Sequence, residues 1–279
     1  MSAANVDRLS FCAIPLTFER RADEGVVGAA SATGFLWRNN DDWYLITNWH
    51  NVTGLNPLTL KHLGSFTPTH VTLGLKYEVM KTDTGQQIGT KNFTMPLYGE
   101  SGPFWLEHPS KNAVDCVAVG MAIPNVSDLV TKPLNEIEFD HIYRPAVGDE
   151  CFILGYPKGL KGAGNTPIWK RGSIASEPSL NIAGQPIVLI DSATRSGMSG
   201  SPVIARHSGI HMNGLELADD TIFGTVQTFL GIYSGRTDDD ELGVQIGRVW
   251  KSPVIEQIIQ QGSRGRDPVD IAYPKINEN

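Results

Sequence analysis

Apolar positions along this chain recur in short runs that are separated by turn-forming residues, a pattern typical of β-strands. Residues 34–37 and 43–47 are two such runs, and the Arg/Asn/Asp segment 38–42 lies between them. Two apolar runs around an Asn/Asp cluster predict a β-hairpin. Residues 71–80 alternate apolar and polar side chains and then reach a turn sequence at 83–85, which predicts a further strand.

Further short runs follow the same pattern through most of the chain. They cover residues 114–119, 151–154, 168–175, 186–190, 202–205 and 221–233. Short strands with turn signals between them predict a β-barrel or a β-sandwich. The content of breaker residues supports many turns, since the chain has 29 Gly and 17 Pro in 279 residues.

One helix is predicted, near the C-terminal end. Ser252 suits the N-cap position and Pro253 the first helical position. The next apolar residues fall on one helical face, namely Val254, Ile255, Ile258 and Ile259. Gly262 suits the helix end, and the polar segment 263–279 that follows predicts a loosely held tail.

Net charge and cysteine use exclude several classes of function. The formal net charge of -7 at pH 7 disfavours a nucleic-acid-binding protein, which needs a basic surplus to neutralise phosphates. Cys12, Cys116 and Cys151 have no CxxC spacing, so we expect buried thiols rather than a disulfide framework or a zinc site. No apolar run is long enough for a signal peptide or a membrane span. We therefore expect a cytoplasmic protein that binds no nucleic acid, membrane, metal or cofactor.

The strongest chemical signal is a segment rich in glycine and serine that precedes a predicted strand. Ser199 lies between Gly197 and Gly200, and the strand begins at Pro202. An acyl-transfer nucleophile needs an exposed hydroxyl on a tight loop and backbone N–H groups directed at the developing oxyanion. Gly197 permits the backbone conformation that turns its amide inward. The same segment, taken alone, also fits a turn without chemistry.

A serine hydroxyl needs a base at neutral pH, and the base needs a carboxylate that fixes its tautomer. The chain has seven histidines, and His50 directly follows a predicted strand, which is a rigid place for a base. Taken alone, a histidine there is more often a polar residue with a structural role. Asp115 lies inside an apolar run, where a carboxylate is costly to bury without a partner. His50, Asp115 and Ser199 are thus the candidate catalytic residues.

These three places together resemble the chymotrypsin-like (trypsin-like) serine peptidase family, in its bacterial disulfide-free type. The histidine motif is matched by residues 44–50, the aspartate motif by 115–119 and the serine motif by 197–202, in the chain order His, Asp, Ser. Residues 230–235 resemble the strand that aligns the substrate in this family, and residues 243–249 resemble its last strand.

The resemblance covers about residues 25–262 and implies a fold class. We expect an all-β, chymotrypsin-like protein with two antiparallel six-stranded β-barrels packed together and a C-terminal helix. The N-terminal barrel, with the histidine and the aspartate, is expected in residues 1–140, and the second barrel, with the serine, in residues 141–250. Residues 251–279 are expected to form the closing helix and tail.

The resemblance also assigns a role to each candidate residue of a serine endopeptidase. Ser199 attacks the peptide carbonyl and forms an acyl-enzyme, His50 transfers the proton, and Asp115 holds His50. The backbone amides of Gly197 and Ser199 form the oxyanion hole. Ala193 lies at the floor of the specificity pocket, which favours a small or apolar substrate side chain. The implied substrate-binding positions are Ala193, Ser234, Gly235 and Arg236.

Two departures from the family pattern bear on regulation. Met198 stands where many members carry the aspartate that pairs with a freed N-terminus in zymogen activation, so we expect no N-terminal zymogen switch. The chain is then competent without processing, or it is controlled by a protein partner. Residues 207–220 are interpreted as an inserted loop, and a regulatory protein that docks on this loop is a hypothesis.

Two other functions stay open beside the hydrolysis of a protein or peptide substrate. One is a catalytically silent peptide-binding module on the same fold. The other is an esterase, although the Gly-x-Ser-x-Gly signature of the α/β-hydrolases is not met because residue 201 is serine. The order of the three candidate residues also differs from that fold.

Overall fold

The computed structural model of this chain describes residues 6–82, 85–123, 126–140, 143–211, 222–236 and 245–272. In the first half, the strands are β1 (Ala13–Ala22), β2 (Gly25–Asn39), β3 (Asp42–Thr47), β4 (His70–Thr82), β5 (Gly85–Pro96), β6 (Tyr98–Gly99), β7 (Gly102–Pro103), β8 (Trp105–Glu107) and β9 (Val117–Met121). In the second half, they are β10 (Glu150–Gly155), β11 (Ile168–Ile174), β12 (Ile187–Asp191), β13 (Pro202–His211), β14 (Ile222–Arg236), β15 (Ile246–Lys251) and β16 (Ser263–Arg264). The α-helices are α1 (Trp49–Thr53), α2 (Pro253–Gln261) and α3 (Pro268–Ala272).

Eight strands form an antiparallel N-terminal sheet in the order β16-β8-β9-β3-β2-β1-β4-β5. The predicted hairpin is β2 and β3, in which Phe35 lies opposite Ile46. Alternate positions of β1, including Leu16 and Phe18, point into a core that the other strands of this sheet share. The alternation of buried and more exposed positions is the pattern that a sheet with one covered face requires.

The second β unit is a closed six-stranded barrel in the order β10-β11-β12-β15-β14-β13. Its interior is filled by side chains such as Ile153, Val188 and Val203. A further apolar cluster joins the two units, since it contains Phe35 of the N-terminal sheet, Ile204 of the barrel and the buried face of α2. The two units are therefore packed against each other through a shared core, and this junction positions the site described below.

The chymotrypsin-like, all-β fold with a C-terminal helix is confirmed, with one difference in the N-terminal unit. Only the C-terminal unit is a closed barrel of six strands. The N-terminal unit is a sheet of eight strands, and in the described residues its outermost strands, β16 and β5, do not pair with each other. The two strands at one side of this sheet, β8 and the edge strand β16, are three and two residues long, too short to leave a periodic pattern in the sequence. The domain bounds 1–140, 141–250 and 251–279 stay a prediction.

Two local predictions are wrong in part. Residues 263–272 are not a loose tail, since they add β16 to the N-terminal sheet and place Ile271 and Ala272 against its core. Residues 207–211 are not a loop, because they continue β13 and pair with β14. The remainders, 212–220 and 273–279, lie outside the described residues. In the described ranges, no helix is long and apolar enough to cross a membrane.

Candidate active site

His50 lies in a short helix that follows the third strand of the N-terminal sheet. β3 ends at Thr47, and α1 starts at Trp49. Trp49 is fully buried, which fixes the helix on the core, while the His50 side chain keeps 15% exposure. Gly54 ends the helix in the left-handed region with φ 71°, a conformation that favours glycine. The predicted base is therefore mounted on a packed helix rather than on the strand end itself.

Asp115 is buried beside His50, and its carboxylate accepts three hydrogen bonds. Oδ2 accepts one from Nδ1 of His50 at 2.7 Å and one from Oγ of Ser234 at 2.5 Å. Oδ1 accepts one from the backbone N–H of His50 at 2.9 Å. The bond to Nδ1 leaves Nε2 as the basic nitrogen of the ring. Asp115 does not lie within a strand, as the sequence suggested, because β9 begins at Val117.

The surroundings of Asp115 keep its carboxyl group ionised. Burial alone would raise the pKa of this carboxyl, because a charge loses hydration there. The His50 ring and the hydrogen bonds from His50 and Ser234 outweigh burial, so that the pKa of Asp115 is lowered from its usual value. An ionised carboxylate at this position stabilises a positive charge on the His50 ring.

Ser199 lies in a turn that is held between the two β units. Its carbonyl oxygen accepts a hydrogen bond from the backbone N–H of Thr33 in β2 at 2.9 Å, and Gly200 donates to the carbonyl of Tyr233 in β14 at 2.9 Å. Gly200 has φ 87°, and a Cβ there would lie 2.0 Å from the Thr33 carbonyl oxygen. Both conformation and space therefore require glycine after the candidate nucleophile.

Ser199 and His50 line the same two cavities. Among the described residues, no hydrogen bond joins their side chains. Such bonds are often long without substrate and tighten only in the complex. The three predicted catalytic residues are thus brought to one cleft, and the direct bond within it is the one between His50 and Asp115.

The N–H groups of Gly197 and Ser199 were predicted to form the oxyanion hole. Their directions follow from the carbonyl groups of the same peptide bonds, which belong to Ser196 and Met198. The carbonyl groups of Ser196 and Met198 accept backbone hydrogen bonds at 2.8 and 3.0 Å. In a trans peptide the N–H points opposite to the C=O. The N–H groups of Gly197 and Ser199 therefore point away from those donors, and within the described part of the chain neither donates a hydrogen bond to the protein. Both amides remain available to a substrate oxygen.

Thr33 supports the nucleophile loop, and the sequence analysis missed it. Its Oγ1 donates to the carbonyl of Gly197 at 2.8 Å and accepts from the backbone N–H of Tyr156 at 3.1 Å. Its own carbonyl accepts a hydrogen bond from Oγ1 of Thr47 at 3.0 Å. Thr33 is fully buried, so these bonds are protected from water. A threonine inside the apolar run 32–37 is the signal that could have pointed to it.

Two asparagines beside His50, also missed, connect its helix to the rest of the site. Asn48 donates from Nδ2 to the carbonyl of Asp115 at 2.7 Å. Asn51 donates from Nδ2 to Oγ1 of Thr47 at 3.0 Å and to the carbonyl of Ser199 at 3.4 Å. These bonds fix the relative positions of the base, the carboxylate and the nucleophile loop. Short polar residues flanking a histidine gave no separate signal in the sequence.

Two cavities that differ in chemistry meet at His50 and Ser199. The first, called the polar cavity below, measures about 200 Å³, and its walls combine polar side chains such as Asp115, Ser234 and Arg248 with an equal share of apolar surface. The second measures about 240 Å³ and has mainly apolar walls, which include Phe18, Ala32, Leu63, Phe66 and Pro68. A chain that crosses the cleft therefore meets charged and polar groups in the first cavity and a mainly apolar surface in the second.

The predicted substrate-binding residues have different places relative to these cavities. Ser234 and Gly235 line the polar cavity, and the hydroxyl of Ser234 has the additional role of bonding Asp115. Ala193 is half-buried and lines neither of the two cavities. Arg236 ends β14, and its side chain lies outside the described part of the structure.

The described residues contain no group of three or more His, Cys, Asp or Glu side chains that could hold a metal ion. The three cysteines, Cys12, Cys116 and Cys151, are free and buried, as expected. Burial raises the pKa of the Cys12 and Cys151 thiols to about 12. None of the three thiols is therefore a competing nucleophile at neutral pH.

Comparisons with known proteins identify the family of this chain. A family model described as a trypsin-like peptidase domain matches residues 32–209. A solved structure described as the thermostable serine protease AL20 from an extremophilic microorganism matches with a TM-score of 0.44 and 14% identity, over 90% of this chain and 97% of that chain. No curated protein matches. Because the family model covers more than half of the chain, the chain belongs to the trypsin-like peptidase domain family, a family of serine peptidases.

Proposed function

We propose that this protein is a serine endopeptidase that cleaves peptide bonds through an acyl-enzyme on Ser199. The observation that carries the proposal is the pair of hydrogen bonds from His50 to the buried Asp115, made beside the cleft that Ser199 also lines. A buried carboxylate held by both the ring and the backbone of one histidine is the arrangement that a general base needs.

In the proposed reaction, Nε2 of His50 removes the proton of the Ser199 hydroxyl as its oxygen attacks the substrate carbonyl. Asp115 stabilises the imidazolium that forms, and the N–H groups of Gly197 and Ser199 bind the oxyanion. His50 then gives the proton to the leaving amine. Water, activated by His50 in the same way, hydrolyses the acyl-enzyme and restores the Ser199 hydroxyl.

Substrate binding is proposed to use the edge of β14. The backbone of residues 234–236 pairs with the substrate as an added strand, and Gly235 and Ser234 place that strand along the polar cavity. Ala193 and Arg236 are proposed to shape the pocket for the side chain before the scissile bond, with a preference for a small or apolar residue.

Activity is proposed to need no N-terminal processing. Met198, directly before Ser199, is 1% exposed and belongs to the core of the C-terminal barrel. An apolar side chain packed there has no charge with which to bind a freed amino terminus. The chain is then proposed to be competent without processing or to be controlled by a protein partner. We also propose a reducing, cytoplasmic location, which suits three free, buried cysteines.

Cleavage of a peptide library by the intact chain and by a Ser199→Ala variant tests the proposed function. We expect internal cleavage by the intact chain and none by the variant. Peptides that bind and return intact would favour the catalytically silent module. Turnover of simple esters without any peptide cleavage would favour an esterase. Either of these results would contradict the proposal.

A further inference from the structure

The C-terminal strap, defined as residues 262–272, lies along the edge of the N-terminal sheet beside the candidate active site. Ser263 and Arg264 pair with Glu107 and Leu106 of β8, and the Gly265 N–H donates to the carbonyl of Trp105 at 2.8 Å. A Cβ at position 265 would lie 2.1 Å from Nε1 of Trp105, so glycine is required for this close approach. The strap is therefore a fitted part of the sheet.

A buried carboxylate connects the strap to the helix of the base. Glu107 is 1% exposed, and Oε1 accepts hydrogen bonds from Nε1 of Trp49 at 3.1 Å, from Nε1 of Trp105 at 3.4 Å and from the backbone N–H of Arg266 at 3.0 Å. Oε2 accepts one from Nε of Arg266 at 3.1 Å. Trp49 directly precedes His50 in α1, so Arg266 and the base are separated by one carboxylate and one indole ring.

The same arginine also reaches the segment that carries Asp115. Nη2 of Arg266 donates to Oδ1 of Asn112 at 3.1 Å, and Nδ2 of Asn112 donates to the carbonyl of Pro57 at 2.9 Å. Asn112 lies three residues before Asp115 and lines the polar cavity. The Arg266 guanidinium thus contacts Glu107, which binds the helix of His50, and Asn112, which lies on the segment that carries Asp115. It is therefore connected to both partners of the His50–Asp115 hydrogen bond.

We propose that Arg266 is a positioning residue for the His50–Asp115 pair and that the C-terminal strap acts on catalysis through it. The proposal rests on the proposed function, because it names the groups that hold the base of that same site. Without the guanidinium, Glu107 is a buried carboxylate without a counterion and draws in water. Trp49 then loses a fixed acceptor, and the ring of His50 loses its alignment with Asp115.

Kinetics of three variants separate positioning from stability. Arg266→Met is expected to lower kcat about 10- to 100-fold, since small displacements of catalytic groups cost up to about 100-fold, with KM little changed. Arg266→Lys keeps a cation for Glu107, and its kcat is expected to lie between that of Arg266→Met and that of the intact chain. Arg264→Met is the matched control, because Arg264 lies in the same strap and contacts Ser101 instead. It is expected to keep the kcat of the intact chain.

A second readout does not depend on turnover. The proton that His50 shares with Asp115 is expected to give a far-downfield ¹H NMR signal, which shifts or broadens in Arg266→Met and is retained in Arg264→Met. If Arg266→Met does not fold, the lysine variant carries both tests. An unchanged kcat and NMR signal in a folded, less stable Arg266 variant would overturn the proposal. An intact chain that shows the NMR signal but cleaves no peptide would contradict the proposed function instead.

Discussion

Two carboxylates are buried on either side of the Trp49–His50 dipeptide, and their charges are balanced in different ways. Asp115 is 2% exposed and Glu107 is 1% exposed. Asp115 is held by the imidazole and backbone of His50 and by the hydroxyl of Ser234. Glu107 is held by two indole N–H groups and by Arg266. One carboxylate has a titratable partner, and the other has a partner that is permanently charged.

This difference separates the two tasks of a catalytic site. An imidazole can gain and lose a proton, so the carboxylate that faces His50 is the one we propose for chemistry that transfers protons. A guanidinium keeps its proton, so the pair of Glu107 and Arg266 is proposed to be fixed and to support the first pair. Burial strengthens the electrostatic interactions of both carboxylates, and in this proposal the partner of each one decides its task.

The largest expected effect comes from removing the charge of the catalytic carboxylate. Asp115→Asn is expected to lower kcat/KM about 10⁴-fold, because an amide next to Nδ1 favours the wrong tautomer of His50. Steady-state kinetics on a cleaved peptide measure this loss. Asp42→Asn, at the exposed first residue of β3, is the matched control and is expected to leave kcat/KM unchanged. A loss of less than tenfold in Asp115→Asn would show that this carboxylate does not serve the base.

The next largest effect is expected in stability, when Glu107 loses its counterion. Arg266→Met is expected to lower the free energy of unfolding by about 3–5 kcal/mol, because it leaves a buried charge uncompensated. Glu107→Gln is expected to cost less, since its side-chain carbonyl can still accept a hydrogen bond from the Trp49 indole, and the Arg266 side chain is 35% exposed and can regain water. Urea denaturation of both variants measures the difference. Equal losses would show that the guanidinium is not needed to keep Glu107 buried.

Lys76 extends the comparison to a buried ammonium group that has no carboxylate partner within the described ranges. It is 1% exposed, and its ammonium donates to the carbonyl of Ala13 at 3.4 Å and to the hydroxyl of Tyr156 at 3.3 Å. In the described residues no carboxylate forms an ion pair with it. Burial lowers the pKa of Lys76 to about 8.

The lowered pKa fixes the sign of a pH effect on stability. Folded Lys76 loses its proton near pH 8, whereas the unfolded chain keeps it up to about pH 10.4, so stability rises with pH between these values. Lys76→Met is expected to remove this rise and to stabilise the protein at pH 7 by on the order of 3 kcal/mol. Denaturation curves at several pH values, compared between the two proteins, test it. Parallel pH profiles would contradict the expectation.

The smallest effect is expected at the second partner of Asp115. Ser234→Ala removes a hydrogen bond to a charged group and is expected to cost about 1.5 kcal/mol in stability at neutral pH. Because that bond lowers the pKa of Asp115, its contribution is present above about pH 4 and is lost as the pH falls through the folded pKa. The difference in stability between the variant and the intact chain should therefore be constant above about pH 4 and shrink at lower pH, and the less stable variant should denature at a higher pH. Acid denaturation followed by circular dichroism measures the shift, and coincident curves would contradict it.

Asp115 and Glu107 also differ in how well the sequence predicts them. Asp115 could be predicted because it interrupts an apolar run and because His50 and Ser199 lie in motifs of matching order. Glu107 has a weaker signal, since His108 and Pro109 follow it and make it look like the end of an exposed segment. Its partner Arg266 lies far along the chain in a polar stretch without a motif. Pairings of this kind depend on tertiary contacts that no local pattern encodes.

Some elements of the fold can likewise be predicted from local sequence patterns, and others cannot. Strand β3 and helix α2 have strong local patterns, and their observed bounds are close to the predicted ones, whereas β2 begins at Gly25, well before the predicted run 34–37. Strand β16 has two residues and no pattern, and it exists because Gly262 and Gly265 let the chain approach β8 closely. The periodicity of the sequence therefore predicts the all-β class but does not predict the number of strands in the N-terminal sheet.

The central claim is that Ser199 is a nucleophile activated by His50, and covalent labelling tests it most directly. The intact chain is treated with a fluorophosphonate, digested and analysed by mass spectrometry, with His50→Ala as a folded control. We expect one adduct, on the peptide that contains Ser199, and little or none in the control. An intact chain that stays unlabelled, or that is labelled equally well without His50, would contradict the account.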